Sequence, residues 1–100
     1  MRQGCGRLPV LITHRTKDPD ELIAWSYTNR DKWAALNGCS TQTQSVNANL
    51  NCVSFLGCKA PGSLQYCEDT FFDPSWPSDW NHTVREPYRD LTWKWFKSLP

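Results

Sequence analysis

Five cysteines in 100 residues constrain this chain more than any other feature: Cys5, Cys39, Cys52, Cys58 and Cys67. No C-x-x-C pair occurs, and the two histidines, His14 and His82, are not spaced as zinc-finger ligands. Structural disulfides formed in an oxidising compartment fit this pattern better than buried free thiols. An odd count leaves one thiol without a partner inside the chain. Met1 to Gly6 carries a charge but lacks the apolar stretch, about 7–15 residues long, of a signal peptide. Disulfide chemistry, an orphan cysteine and no export signal together lead to the expectation of a piece of a longer, secreted protein.

Composition points the same way. A chain of 100 residues holds at most one domain, and a hydrophobic share of 39% is thin for a self-sufficient core. Six Trp, four Phe and three Tyr partly compensate, since each ring can bury roughly 150–250 Å². Net charge is +1, from 11 basic and 10 acidic residues, with no Lys/Arg cluster. That argues against nucleic acid or an anionic membrane surface as partner. The longest apolar run, Leu8 to Ile12, is far too short to span a membrane.

Along the chain, Leu8 to Thr13 reads as a buried strand, β-branched at Val10, Ile12 and Thr13, with Pro9 tolerated at its start. His14 to Glu21 is a polar loop, and Asp20 suits the N-cap of a following helix. Leu22 to Asn37 reads as that helix, its apolar stripe present but not clean, and Asn37-Gly38 as its stop. Ser40 to Asn51 has no charge and reads as a surface loop or a poorly ordered hairpin. Cys52 to Leu56 and Leu64 to Cys67 are short strands separated by Gly57 and the Pro61-Gly62 turn. Glu68 to His82 is a proline-punctuated aromatic loop. Pro87 then opens a last helix from Tyr88 to Ser98, with Leu91, Trp95 and Leu99 on one stripe. The order strand, helix, two short strands, helix is α/β. Two helices with two or three strands cannot cover both faces of a parallel sheet, so an incomplete domain is expected. Trp93, Trp95 and Phe96 lie on successive faces of the last helix, and at least one of them should be exposed.

In open α/β sheets, functional groups gather beyond the carboxyl ends of strands. Asp18 follows the first strand, and His82 follows the later strand pair. An Asp followed about sixty residues later by a His matches the acid-then-base order of α/β-hydrolases. In that arrangement Asp18 orients the imidazole of His82, and His82 relays the proton of a serine nucleophile. Asp20 is the rival acid, better suited to capping. His14 is expected to bond to backbone at the strand end.

These residues also resemble a family. Leu8-Pro9-Val10-Leu11-Ile12-Thr13-His14-Arg15-Thr16-Lys17-Asp18-Pro19 is similar to a strand followed by H-G-T-x-D-P. Asn29-Arg30-Asp31-Lys32-Trp33-Ala34-Ala35-Leu36-Asn37-Gly38-Cys39 is similar to a helix ending in R-D-x-W…N-G-C. Cys52-Val53-Ser54-Phe55-Leu56-Gly57-Cys58, with Tyr66-Cys67, resembles a C-V-x-(Y/F)-x-G-C element followed by an aromatic-Cys pair. His82 precedes the aromatic helix segment Leu91-Thr92-Trp93-Lys94-Trp95-Phe96. The family is the secreted carbohydrate-esterase group of α/β-hydrolases: feruloyl esterases, acetylxylan esterases and polyhydroxybutyrate depolymerases.

The resemblance covers roughly Gly6 to Leu99 and corresponds to the family's C-terminal third. It implies that residues 1–100 are a partial α/β-hydrolase domain, with Asp18 and His82 as triad acid and base. It implies no cofactor and no metal. The substrate of the complete enzyme would be an ester-linked polysaccharide or a phenolic ester. Arg15 stands where the family has Gly. The sequence contains no G-x-S-x-G, so the isolated chain is expected to be inactive.

Four cysteines after Gly38 allow three pairings. The pairing expected here is Cys39 with Cys67 and Cys52 with Cys58, across the Gly57 turn, leaving Cys5 as the orphan. Asn81-His82-Thr83 is an N-glycosylation sequon, expected to be unused because a glycan would block His82. Phe71, Phe72, Trp76 and Trp80 either line a pocket for a phenolic or sugar group or pack over the sheet edge. Two other readings stay open: a small cysteine-rich secreted module stacking sugars on Trp76 and Trp80, and a truncated gene product without a function of its own.

Overall fold

The computed structural model describes residues 7–19 and 21–99, without the side chains of Ser78 and Asp79. Cys5, the segment Met1 to Gly6 and the capping role of Asp20 therefore lie outside the described residues. The elements are β1 (Pro9–Arg15), α1 (Ile23–Leu36), β2 (Thr43–Asn47), β3 (Cys52–Phe55), β4 (Ser63–Asp69), α2 (Ser78–His82) and α3 (Glu86–Ser98). They form a mixed four-stranded sheet in the order β1-β4-β3-β2 with helices around it, an α/β architecture. β1 and β4 are parallel, and the β4–β3 and β3–β2 pairs are antiparallel.

Two or three strands were expected; four are present among the described residues. The extra strand, β2, arises from the segment read as a loop or poorly ordered hairpin. It is a hairpin, turned by a 3₁₀ segment (Ala48–Leu50) and by Asn51, whose φ of 52° is left-handed. Asn takes that conformation more readily than most residues. The Asn47 side chain accepts from the Leu50 N–H and closes the turn. Uncharged, short polar side chains thus supply turn chemistry and leave the strand that precedes them exposed at the sheet edge.

Alternation along the strands assigns each helix a face. His14, Glu68 and Tyr66 share one face; α1 packs there, and its Ser26 bonds His14. Thr13, Cys67 and Leu11 share the other face, where Tyr88 of α3 seals a core with Cys52, Cys67, Leu50 and Leu91. The Tyr88 hydroxyl lies within hydrogen-bond reach of two backbone carbonyls, Leu50 at 3.0 Å and Glu68 at 3.3 Å. Each face of the sheet therefore receives one helix. Cover is partial: Trp93 and Phe96 remain 59% and 60% exposed, and Trp25 and Leu36 are exposed on α1. No described helix is long and apolar enough to cross a membrane.

The disulfides are Cys39–Cys58 and Cys52–Cys67, which corrects the expected pairing. The cause is strand register. Cys52 and Cys67 face each other across the antiparallel β3–β4 pair. Beyond β3, the Ser40 N–H donates to the Leu56 carbonyl and the Lys59 N–H donates to the Asn37 carbonyl. Those bonds run the end of α1 alongside the Gly57 turn and bring Cys39 against Cys58.

Asn37 does more than end the helix. Its side chain is fully buried and spans the starts of both parallel strands. Oδ1 accepts from the Leu8 N–H at 3.2 Å, and Nδ2 donates to the carbonyls of Leu8 at 2.8 Å and Ser63 at 3.0 Å. Gly38 follows at φ +66°, the left-handed stop expected of it.

Candidate functional site

Parallel pairing of β1 with β4 decides where the site forms. Register runs from Pro9 with Ser63 to Arg15 with Asp69, so both strands end at the same edge of the sheet. The loops that leave this edge carry Asp18 and His82. After β1, the Asp18 N–H donates to the Arg15 carbonyl, and the Asp18 Oδ1 accepts from the Glu21 N–H at 3.1 Å. That tight turn fixes the carboxyl plane, as an Asp in a loop commonly does.

After β4, the chain is tied by its own side chains. Asp69 accepts from the Phe71 N–H, and Asp73 accepts from both the N–H and the hydroxyl of Ser75. The Ser75 hydroxyl, with its N–H beside it, lowers the Asp73 pKa. Asn81 is buried, with Oδ1 accepting from the Asp73 N–H and Nδ2 donating to the Asp73 carbonyl at 2.8 Å. A glycan on Nδ2 would not fit the buried position of Asn81, so the sequon conflicts with this fold. These ties seat α2, and His82 is its last residue.

Asp18 and His82 meet. The His82 Nδ1 lies 2.6 Å from the Asp18 Oδ2, across 64 residues of sequence. Asp18's side chain is 4% exposed and that of His82 41%. A carboxylate acceptor fixes the proton of the neutral imidazole on Nδ1, so Nε2 is the basic nitrogen. A buried carboxylate bonded to Nδ1 also stabilises the imidazolium when Nε2 gains a proton. The pair borders a cavity of about 250 Å³ that His14, Asp69, Arg85 and Tyr88 also line.

Behind the pair lies a buried charged cluster that the sequence reading missed. Arg15, 5% exposed, sends Nη1 to the carbonyls of Trp80 at 2.7 Å and Thr83 at 3.1 Å, and Nη2 to that of Phe71 at 3.0 Å. Its Nε lies 3.6 Å from the Asp69 carboxylate. Arg85 binds the same carboxylate through two nitrogens, at 2.6 and 2.8 Å, and this pairing raises the Arg85 pKa. The available signal was the Arg at a position where the resembling motif has Gly. Nothing local to Arg15 announces that its partners lie more than fifty residues away.

His14 bonds backbone as expected, through Nε2 to the Glu21 carbonyl at 3.1 Å. Its Nδ1 then accepts from the Ser26 hydroxyl at 2.6 Å, a contact the sequence did not suggest. Ser26 is buried under α1, and this pair fastens the helix to β1. The aromatic loop packs on itself. Trp76 meets Phe71 at 5.1 Å and Trp80 edge-on at 5.8 Å, with the Arg15 guanidinium over both Phe71 and Trp76. Phe72 and Trp80 remain exposed. Among the described residues, no group of three His, Cys, Asp or Glu side chains is arranged to hold a metal.

No family model matches this chain, and neither a curated protein nor a solved structure does.

Proposed function

We propose that Asp18 and His82 are the acid and base of a serine-hydrolase relay. On this reading the chain is the C-terminal part of a secreted α/β-hydrolase resembling feruloyl and related carbohydrate esterases. The observation that carries it is the 2.6 Å bond from His82 Nδ1 to a carboxylate held beneath the surface. Location supports it as well, because both residues leave the carboxyl edge of two adjacent parallel strands. The two disulfides fit the oxidising compartment that a secreted enzyme requires.

The proton would pass from a serine hydroxyl to Nε2 of His82 as that oxygen attacks the ester carbonyl, and then from Nε2 to the leaving alcohol. Asp18 stays ionised throughout and holds the ring. The serine and its oxyanion hole would come from residues beyond these 100, since the chain has no G-x-S-x-G. The test is the reading frame that encodes the chain. A G-x-S-x-G upstream, and hydrolysis of methyl ferulate or acetylated xylan by the full product, are expected. An upstream frame without a nucleophile motif, or turnover by the purified 100-residue chain itself, would sink the reading.

The competing idea of a sugar-stacking module draws on the half-exposed Trp80. Trp76 meets Trp80 at an interplanar angle of 76°, so the two rings do not form one flat platform. Saturable binding of the chain to a polysaccharide, lost in Trp80→Ala, would favour the module instead.

A further inference from the structure

The geometry points to Arg15 as the positioning residue of the Asp18–His82 pair. Its guanidinium acts on the main chain around the pair. It grips the backbone on both sides of His82, through the Trp80 and Thr83 carbonyls, and it grips the preceding loop through the Phe71 carbonyl. Arg15 is also the last residue of β1, three positions before Asp18, and its own carbonyl accepts from the Asp18 N–H. One residue therefore touches the backbone of both loops, with its main chain on the acid's side and its side chain on the base's side. A buried guanidinium suits this task because its donors diverge in a rigid fork. Charge-assisted bonds to carbonyls are stronger than neutral ones. Asp69 compensates the buried charge, and Arg85 completes that cluster.

This role matters to catalysis only on the reading proposed above. The geometry it controls can nevertheless be measured without turnover, so the two can fail separately. A His82 Nδ1 proton held by a carboxylate gives a strongly deshielded resonance in the NMR spectrum of the disulfide-bonded chain. Arg15→Met keeps the apolar stem, and Arg85 still neutralises Asp69, so the fold has no new unpaired carboxylate. Loss of the deshielded resonance is expected in this variant, with both disulfides and the native amide pattern retained. Arg15→Lys keeps the charge but cannot reach three carbonyls from one point, and it should lose the resonance too. Arg85→Met is the counterpart: it removes the other cation of the same cluster, leaves Arg15 on Asp69 and should keep the resonance.

An unchanged His82 resonance in folded Arg15→Met or Arg15→Lys overturns the assignment. So does its loss in Arg85→Met, which would make general weakening of the cluster sufficient. Failure of both Arg15 variants to fold overturns it as well, because Arg15 would then serve the fold and not the pair.

Discussion

Asn37 occupies the space a side chain at Gly62 would need: a Cβ built on Gly62 would lie 2.7 Å from the Asn37 carboxamide. The close approach lets the amide reach the Leu8 and Ser63 backbone, which start the two parallel strands. Asn37→Ala removes all three of these bonds and leaves the Leu8 carbonyl only the longer bond from the Ser63 N–H at 3.4 Å, at a cost of about 2–4 kcal/mol. Gly62→Ala should cost about 1–3 kcal/mol through overpacking. The two should not add. Shortening Asn37 removes the clash, so Gly62→Ala should cost less in the Asn37→Ala background. Urea unfolding of the four proteins measures the coupling, and strict additivity would contradict this geometry.

The disulfide pairing gives a second expectation. Trypsin and chymotrypsin under non-reducing conditions cut at Leu50, Phe55 and Lys59, which separates the four cysteines onto different peptides. Linked masses for Cys39 with Cys58 and Cys52 with Cys67 are expected. Replacing both Cys52 and Cys67 by Ala opens a loop with sequence separation 15. That should cost about 3 kcal/mol, most of it through the freer unfolded chain.

Local chemistry was legible in this sequence; partners across the sheet were less so. The β-branched run at β1, Gly38 after α1 and Pro87 at the start of α3 each act through their own backbone, and each element was read correctly, although β1 is a half-buried edge strand where a buried one was expected. Asp18 and His82 were singled out from strand-end logic and resemblance, and the structure brings them into contact. The disulfides were misassigned because pairing depends on the β3–β4 register, which separations along the chain do not encode. Arg15, Asp69 and Arg85 were missed for a related reason. Each reads as an ordinary surface charge until β1 and β4 align and bury the Arg15–Asp69 register pair. Asn37 was read as a helix stop, and its cross-strand bonds become visible only when Leu8 and Ser63 are neighbours.

The three tyrosines predict alkaline behaviour. Tyr66 has its pKa raised chiefly by burial, and the Glu68 carboxylate that accepts its hydroxyl proton at 3.1 Å adds to the shift. Tyr27 is raised mainly by the charge of Glu68, and Tyr88 by burial under α3. A raised folded-state pKa favours the protonated form in the folded chain. The associated stability is complete below the ordinary tyrosine value of 10.0 and is lost as pH rises from there through the folded-state values. Spectrophotometric titration should therefore show less tyrosinate in the folded chain than in urea at pH 10, followed by cooperative unfolding at higher pH. Equal tyrosinate in both states would refute the burial of Tyr66 and Tyr88.

The acid–base pair itself predicts a pattern of substitutions in the full enzyme. Asp18→Asn keeps the size of the side chain but lets its amide offer a proton toward Nδ1, which selects the wrong tautomer of His82. A relay that depends on that tautomer loses kcat by a factor on the order of 10⁴. His82→Gln removes the base outright and should cost at least as much. The double variant should fall little further than His82→Gln, because residues that act as a unit do not contribute additively. KM should change far less than kcat in all three, since neither group is asked to hold the ground-state ester. Asp20→Asn supplies the comparison: Asp20 was the rival acid, and its substitution should leave kcat within a few-fold of the parent. A loss in Asp20→Asn that equals the loss in Asp18→Asn would move the acid's role away from the residue that meets His82.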